Sequence, residues 1–172
     1  CPPGWFTNTL TGAGAVDCDP CDPGRFSRDS REECQSCRAG QFSSSEHATA
    51  CIECPEGQFA SDSNSKSCLV CARGKSTASQ TGRSQCDDCR AGYYVETEKS
   101  SACIGCPAGK YVEDTGSESS TACIRCGKGK YVEDTGSDSQ DDCIPCNAGK
   151  YTEELGSDSF TACRQCRAGS TT

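Results

Sequence analysis

The sequence has little of the apolar material from which ordinary protein cores are built. Among its 172 residues there is no Met, there are only one Trp, five Phe and five Tyr, and hydrophobic residues amount to 33% with Cys included. So little apolar surface is insufficient for the two packed layers of a conventional domain. Covalent cross-links must therefore replace much of the core.

Other absences narrow the range of partners. No apolar run approaches the roughly 20 residues of a membrane helix, so we expect no membrane insertion in this segment. The formal charge of -8 comes without clustered Lys and Arg, which argues against nucleic acid and anionic membrane surfaces. No Asn-x-Ser/Thr acceptor occurs, whereas Ser- and Thr-rich loops such as residues 43–50 are candidate sites for O-linked glycans. No charged start and apolar stretch precede Cys1, so we expect a mature or internal segment.

Cysteine is what the chain has in abundance. Nineteen cysteines make up about 11% of the residues, above the roughly 8–10% that is typical of an extracellular disulfide scaffold. Apart from Cys1 they form nine Cys-x-x-Cys pairs: Cys18/Cys21, Cys34/Cys37, Cys51/Cys54, Cys68/Cys71, Cys86/Cys89, Cys103/Cys106, Cys123/Cys126, Cys143/Cys146 and Cys163/Cys166. Oxidised cysteines in this number predict an extracellular location, either secreted or at the cell surface.

A glycine and an aromatic residue recur at fixed distances from these cysteines. The third residue after Cys1, and after the second cysteine of each pair, is always a glycine: Gly4, Gly24, Gly40, Gly57, Gly74, Gly92, Gly109, Gly129, Gly149 and Gly169. Two residues further on stands an aromatic residue in eight of the ten copies, with Ser76 and Thr171 as the exceptions. A sequence motif that recurs at regular intervals along the chain indicates a structural repeat rather than an active site. We predict one continuous array over residues 1–172, with units 1–20, 21–36, 37–53, 54–70, 71–88, 89–105, 106–125, 126–145, 146–165 and a partial unit 166–172.

Each unit is predicted to be a small hairpin. Cys-Pro-x-Gly, as at Cys54 and Cys106, predicts a four-residue turn with proline second and glycine last. The aromatic residue begins a short strand, and its ring can cover the disulfide and supply most of the apolar burial. A second turn, at Gly116, Gly136 and Gly156, returns the chain to the closing cysteine. The turn glycines and aromatic residues of the three most regular units are Gly109, Tyr111, Gly129, Tyr131, Gly149 and Tyr151.

The predicted fold class is therefore small and disulfide-rich: an elongated solenoid of tandem short β-hairpin cysteine-rich repeats with little or no helix. We call the glycine that stands three residues after Cys1, and after the second cysteine of each pair, the frame glycine, and its regular recurrence the glycine frame. This frame gives one pairing that repeats regularly: Cys1–Cys18, Cys21–Cys34, Cys37–Cys51, Cys54–Cys68, Cys71–Cys86, Cys89–Cys103, Cys106–Cys123, Cys126–Cys143 and Cys146–Cys163. Cys166 is then unpaired or intermolecular, for example joined to Cys1 of another molecule. A knotted pattern that cross-links neighbouring pairs fits the spacing too.

Zinc binding, catalysis and calcium binding are less well supported interpretations of the same residues. The spacing of the pairs overlaps that of zinc ribbons, but the glycine frame and the single histidine, His47, favour disulfides. His47 lies in a polar loop and indicates no catalytic base, so we expect neither enzyme activity nor a cofactor. The acidic loop contains candidate calcium ligands in no EF-hand order, and a solvated acidic face is the default interpretation. These candidates are Asp134, Asp138, Asp141 and Asp142.

The repeat at residues 106–126, CPAGKYVEDTGSESSTACIRC, resembles the ephrin-receptor-like or GCC2-GCC3 cysteine-rich repeats. The opening half of each unit is also similar to the first module of tumour-necrosis-factor-receptor cysteine-rich domains, but the second module of those domains is missing here. The resemblance implies tandem copies, an extended shape, an extracellular setting and one bridge across each hairpin.

Two functions follow as expectations. The first is an extracellular structural repeat protein: a stalk, spacer or subunit of a surface or secreted filament. The alternative is a receptor-like ectodomain that binds a protein ligand along one face. The expected partners are therefore other copies of the chain, in head-to-tail or lateral contact, or an extracellular protein. The chain stops six residues into a further unit, which predicts a segment of a longer array or a subunit whose ends mate.

Overall fold

A computed structural model describes residues 1–8, 17–29 and 32–167 of the chain. In these ranges the regular structure consists of eighteen short strands and three single-turn 3-10 helices, with no α-helix. The strands are β1 (Trp5–Asn8), β2 (Asp17–Pro20), β3 (Arg25–Phe26), β4 (Gln35–Ser36), β5 (Gln41–Phe42), β6 (Ile52–Glu53), β7 (Gln58–Phe59), β8 (Leu69–Val70), β9 (Lys75–Ser76), β10 (Asp87–Asp88), β11 (Tyr93–Tyr94), β12 (Ile104–Gly105), β13 (Lys110–Tyr111), β14 (Ile124–Arg125), β15 (Lys130–Tyr131), β16 (Ile144–Pro145), β17 (Lys150–Tyr151) and β18 (Arg164–Gln165). Each odd-numbered strand pairs with the next strand in sequence, so these residues form nine two-stranded sheets.

The hairpins repeat the cysteine and glycine frame. In each one the first strand begins directly after the frame glycine, and the second strand ends just before the second cysteine of a pair. In the hairpin of β13 and β14, Lys110 lies opposite Arg125 and Tyr111 lies opposite Ile124. The amide of Cys126 then donates to the carbonyl of Gly109 (2.9 Å), a bond that recurs in all nine described hairpins at 2.8–2.9 Å. The prediction of tandem disulfide-linked hairpins is confirmed.

The turn that starts each unit differs by one residue from the expectation. In the unit that begins at Cys54, the amide of Gln58 donates to the carbonyl of Pro55 (3.1 Å), so Gly57 is the third residue of the turn and not the last. The physical reason is the backbone angle: Gly57 has φ of 73°, and a turn with positive φ at its third position requires a residue without a side chain.

The longer units accommodate their extra residues in a 3-10 turn. These turns are η1 (Ser120–Ala122), η2 (Gln140–Asp142) and η3 (Phe160–Ala162), each preceded by a serine whose hydroxyl accepts a hydrogen bond from a backbone amide of the turn. In η2, Asp142 also accepts from the amide of Ser139, which completes a capping box. Serine followed by a short helical turn is a local solution that uses no apolar side chain.

The hairpins group into two compact regions. The first comprises Cys1–Cys71 with Thr77–Asp87, and the second comprises Ala72–Ser76 with Asp88–Thr172. In both regions the buried residues are mainly cysteines and small side chains; Cys21, Cys54 and Cys106 are fully inaccessible to solvent. None of the described stretches contains a helix with the length and apolar composition needed to cross a membrane.

Candidate functional site

The nine disulfides are the frame on which every other contact depends. They join Cys1–Cys18, Cys21–Cys34, Cys37–Cys51, Cys54–Cys68, Cys71–Cys86, Cys89–Cys103, Cys106–Cys123, Cys126–Cys143 and Cys146–Cys163, with Cα–Cα distances of 5.5–5.8 Å. These are the pairs that the glycine frame gives, and the knotted alternative is absent. Each bridge therefore closes one unit on itself.

Cys166 is a free thiol and is half-buried. Because Cys1 is already bonded to Cys18, its sulfur is not a thiol that Cys166 of another molecule could oxidise with. A covalent junction between Cys166 and Cys1 is therefore incompatible with this pairing.

Two aromatic rings pack on the disulfide of the following unit. Tyr94 packs against the cluster of Cys106, Val112 and Cys123, which belongs to the next unit. Tyr111, which is 8% exposed, belongs in the same way to the cluster of the next bridge along the chain. Among the described residues Tyr111 is the one aromatic ring that is buried, and the other rings are half-buried or exposed; that the ring supplies most of a unit's apolar burial stays a prediction.

In each unit between residues 21 and 165, a nearly inaccessible side chain follows the position that usually holds the aromatic residue, and the sequence interpretation missed it. These residues are between 0% and 6% exposed: Ser27, Ser43, Ala60, Thr77, Val95, Val112, Val132 and Thr152. The signal was present, because this position holds a small or β-branched residue in every unit. Such a residue suits a strand position that a neighbouring backbone approaches closely.

Three backbone hydrogen bonds join one unit to the next at five of the junctions. Between units 106–125 and 126–145, Gly109 donates to the carbonyl of Val132 (2.8 Å), and Val112 donates to the carbonyl of Ser137 (3.2 Å). The third bond runs from the amide of Gly136 to the carbonyl of Cys106 (2.8 Å). The same three bonds join units 21–36 to 37–53, 37–53 to 54–70, 89–105 to 106–125 and 126–145 to 146–165. At these junctions the second turn is therefore part of the contact between units as well as a reversal of the chain.

The residue at the second turn has the left-handed backbone conformation in every unit where the structure describes it from residue 37 onward. Its φ lies between 62° and 76° at His47, Asn64, Gly82, Lys99, Gly116, Gly136 and Gly156. His47, predicted to be a solvated loop residue, is exposed, and its imidazole lies 4.4 Å from the Trp5 ring between centroids. Its amide donates to the carbonyl of Cys21 (3.1 Å), so its backbone is part of the junction.

The frame glycine is required by a contact two units away. A Cβ placed on Gly92 would lie 2.1 Å from the carbonyl oxygen of Gly136, which is the second-turn residue two units further along. The corresponding distance is 2.0–2.2 Å at Gly4, Gly24, Gly40, Gly74 and Gly109. A separation this short is a steric overlap, so no other residue fits these positions. At Gly129 and Gly149 nothing lies within 4 Å of the Cβ position.

Carboxylates reach across the junction to cap the 3-10 turns of the next unit. Glu96 accepts from the amide of Ser120 (2.6 Å), Glu113 accepts from the first amide of η2 (3.1 Å) and Glu133 accepts from the first amide of η3 (3.0 Å). All three glutamates stand two residues after the aromatic residue of their unit. The backbone amide of Ser120, then its hydroxyl, lowers the pKa of Glu96 below its ordinary value.

We expect this contact to weaken in acid. Because the folded-state pKa of Glu96 is depressed, its carboxylate stabilises the folded form at pH above the unfolded-state pKa. That contribution is lost as the pH falls through the lowered folded-state value. In an NMR titration the Ser120 amide should shift together with the Glu96 carboxyl, at a midpoint below the ordinary glutamate range, and Glu96→Gln should abolish the shift. Glu98→Gln, a change in the same loop, is the control and should leave it intact; persistence of the shift in Glu96→Gln would contradict the assignment.

The four candidate calcium ligands lie in one acidic loop, where one of them takes part in the hydrogen bonding of the loop itself. Asp142 accepts from the amides of Asp138 (3.0 Å) and Ser139 (3.1 Å), so its carboxylate is part of the loop's own hydrogen bonding. Residues 1–8, 17–29 and 32–167 contain no group of three or more His, Cys, Asp or Glu side chains placed to hold a metal ion. Asp134, Asp138 and Asp141 instead line an open groove beside Tyr131.

The repeated cysteine, glycine and hairpin geometry agrees with a comparison against protein families. Residues 24–71, 74–123 and 118–163 match the family described as tyrosine-protein kinase ephrin type A/B receptor-like, which together is most of the chain. The chain belongs to this family. Each ephrin-receptor-like match spans several of the units defined above, so the family's pattern includes the junctions as well as the hairpins. No curated protein matches the chain significantly.

Proposed function

We propose that this ephrin-receptor-like array is an extracellular structural protein: a stalk, a spacer or a subunit of a surface or secreted filament. The observation that supports this role most directly is the repetition of the junctions, five of which are joined by the same three backbone hydrogen bonds. Units joined in this way can follow one another without a unit-specific side chain. In this proposal the chain is one continuous array, catalyses no reaction and needs no cofactor.

The surroundings proposed for the chain follow from its chemistry. Nine disulfides require an oxidising compartment, which supports a secreted or cell-surface location. The partners would be other copies of the chain, in head-to-tail or lateral contact, or an extracellular protein. A net charge of -8 disfavours nucleic acid, and the exposed Ser and Thr residues of the loops are candidate acceptors for O-linked glycans.

A receptor-like ectodomain that binds a protein ligand is the second candidate, and one feature favours it. The residue after the first cysteine of a pair is an exposed aliphatic in several units, including Ile104 (55% exposed), Ile124 (51%) and Ile144 (48%). Exposed aliphatic side chains repeated on equivalent hairpins offer apolar contact area to a partner.

Electron microscopy of native material, labelled with an antibody against this chain, distinguishes the two roles. We expect the label to recur along filaments or surface stalks. Two results together would contradict the structural role and support the receptor-like one. The label would be confined to separate single molecules, and the native material would no longer bind a soluble protein once the chain is removed. Peptide mapping without reduction on the same material provides an independent check that the nine bridges are present.

A further inference from the structure

A groove of about 520 Å³ lies in unit 126–145, beside its hairpin and its acidic loop. Tyr131 and Ile144 line it, and they are direct cross-strand partners, so their side chains leave the same face of the hairpin. Ile144 is 48% exposed and Tyr131 is half-buried. The groove therefore has an apolar surface that solvent reaches.

The remaining lining of this groove is strongly acidic. Its carboxylates are Glu133, Asp134, Asp138, Asp141 and Asp142, and no Lys, Arg or His is among the described residues that line it. Glu133 and Asp142 are engaged with backbone amides. The carboxylates of the other three form no hydrogen bond or ion pair with any residue in the described part of the chain. Three carboxylates without a partner among the described residues therefore line the same groove as the half-buried Tyr131 and the exposed Ile144.

Two equivalent grooves of the same chain contain an arginine in this setting. In unit 21–36 the guanidinium carbon of Arg28 lies 5.6 Å from the ring centroid of Phe26, and Glu32 lines the same groove. In unit 146–165 the cross-strand partner of Tyr151 is Arg164, which lines a groove together with two glutamates. These grooves combine an aromatic ring, carboxylates and an arginine of the chain itself. The groove of unit 126–145 has the first two components and lacks the cation.

We propose that the groove of unit 126–145 binds an arginine side chain from an exposed segment of an extracellular protein partner. The guanidinium lies over the ring of Tyr131, where the ring's quadrupole attracts a cation. Its aliphatic stem covers Ile144, and its donors point towards the carboxylates of Asp134, Asp138 and Asp141.

An arginine suits this groove better than a metal ion does. The described carboxylates are not gathered in any group of three that could hold a metal. A guanidinium presents five donors spread over a plane, and it therefore serves carboxylates that stand apart from one another. The inference is independent of the proposed function, because a stalk and a receptor could both carry this groove.

The test is an NMR titration of the full 172-residue chain with a five-residue peptide, acetyl-Gly-Arg-Leu-Arg-Gly-amide. We expect saturable shifts at the Tyr131 ring and the Ile144 methyl groups, with a dissociation constant on the order of 10 mM, as expected for one cation–π contact and one exposed ion pair. The same peptide with citrulline in place of arginine keeps the shape and loses the charge, and should bind at least about tenfold more weakly.

A matched pair of variants locates the site. Ile144→Arg reproduces the cross-strand arrangement of Tyr151 and Arg164, supplies the cation from within the chain, and should abolish the titration. Ile124→Arg makes the same change one unit earlier and should leave it unaltered. Equal binding of the citrulline peptide, shifts spread over all acidic loops, or an unchanged titration in Ile144→Arg would overturn the proposal. If calcium chloride without peptide saturates the same resonances, and if it displaces the peptide when both are present, the groove is a metal site instead.

Discussion

Replacing Gly92 with alanine is expected to open the junctions around it. The new methyl group would lie 2.1 Å from the carbonyl oxygen of Gly136, and the backbone at Gly92 has φ of 83°. The backbone conformation alone costs alanine about 1–2 kcal/mol. Because the overlapping atom belongs to a backbone held by its own hydrogen bond to Cys106, the total cost should exceed about 4 kcal/mol. Amide exchange at Cys106 and Gly136 should accelerate by about a thousandfold or more.

Two other glycines separate the causes of this effect. Gly129 has φ of 76° and makes the same hairpin and junction bonds, but nothing lies within 4 Å of its Cβ position. Gly129→Ala should therefore lower the free energy of unfolding only by the roughly 1–2 kcal/mol of the backbone conformation. Gly127 has no positive φ and equally open space, so Gly127→Ala should change stability by less than about 0.5 kcal/mol. Equal losses at Gly92 and Gly129 would show that the carbonyl contact is unimportant.

Removal of one interior disulfide is the second large effect. In the double variant Cys106→Ala/Cys123→Ala a bridge with a sequence separation of 17 is lost, and Tyr94 and Val112 lose the sulfur atoms on which they pack. Loss of a native bridge of this kind costs about 2–5 kcal/mol, and the packing loss places this one at the upper end. Exchange mass spectrometry should show faster exchange in the unit itself and in both adjoining units, since the junction bonds connect them.

The bridge Cys146–Cys163 provides the matched control. It has the same sequence separation of 17, but both of its cysteines are only half-buried. The stability that this bridge contributes through chain entropy is therefore the same as for Cys106–Cys123, and the stability that it contributes through packing is smaller. Exchange faster by the same factor in both double variants would mean that the interior bridge contributes no packing, and unaltered exchange in both would mean that the fold does not depend on its cross-links.

The parts of the fold that could be predicted are those that each unit encodes by itself. The constant spacing from each second cysteine to its glycine defines the hairpin, and Cys1 begins a unit in the same register. The turn type was misjudged by one residue, because Cys-Pro-x-Gly permits two registers and only the positive φ of Gly57 decides between them.

The parts that could not be predicted depend on how units meet. Nothing in the sequence near Gly92 indicates that the carbonyl of Gly136, two units later, fills the space of its missing side chain. The position after the aromatic residue was overlooked for a similar reason: Ser27 and Val112 differ in hydropathy but are equally enclosed, since a neighbouring backbone covers both. The capping role of Glu96 is also a contact between units.

The bridges also set how far the chain can be pulled. Tension applied to the ends passes through the sulfur atoms, so each unit contributes one disulfide span of 5.5–5.8 Å between Cα atoms and the three residue steps from one cysteine of a pair to the other. At about 3.3 Å per step, that is roughly 15 Å per unit, while a reduced unit could stretch to about 3.3 Å for every residue it contains. An oxidised unit can thus be pulled out to no more than this length, and reduction would lengthen its maximal reach severalfold.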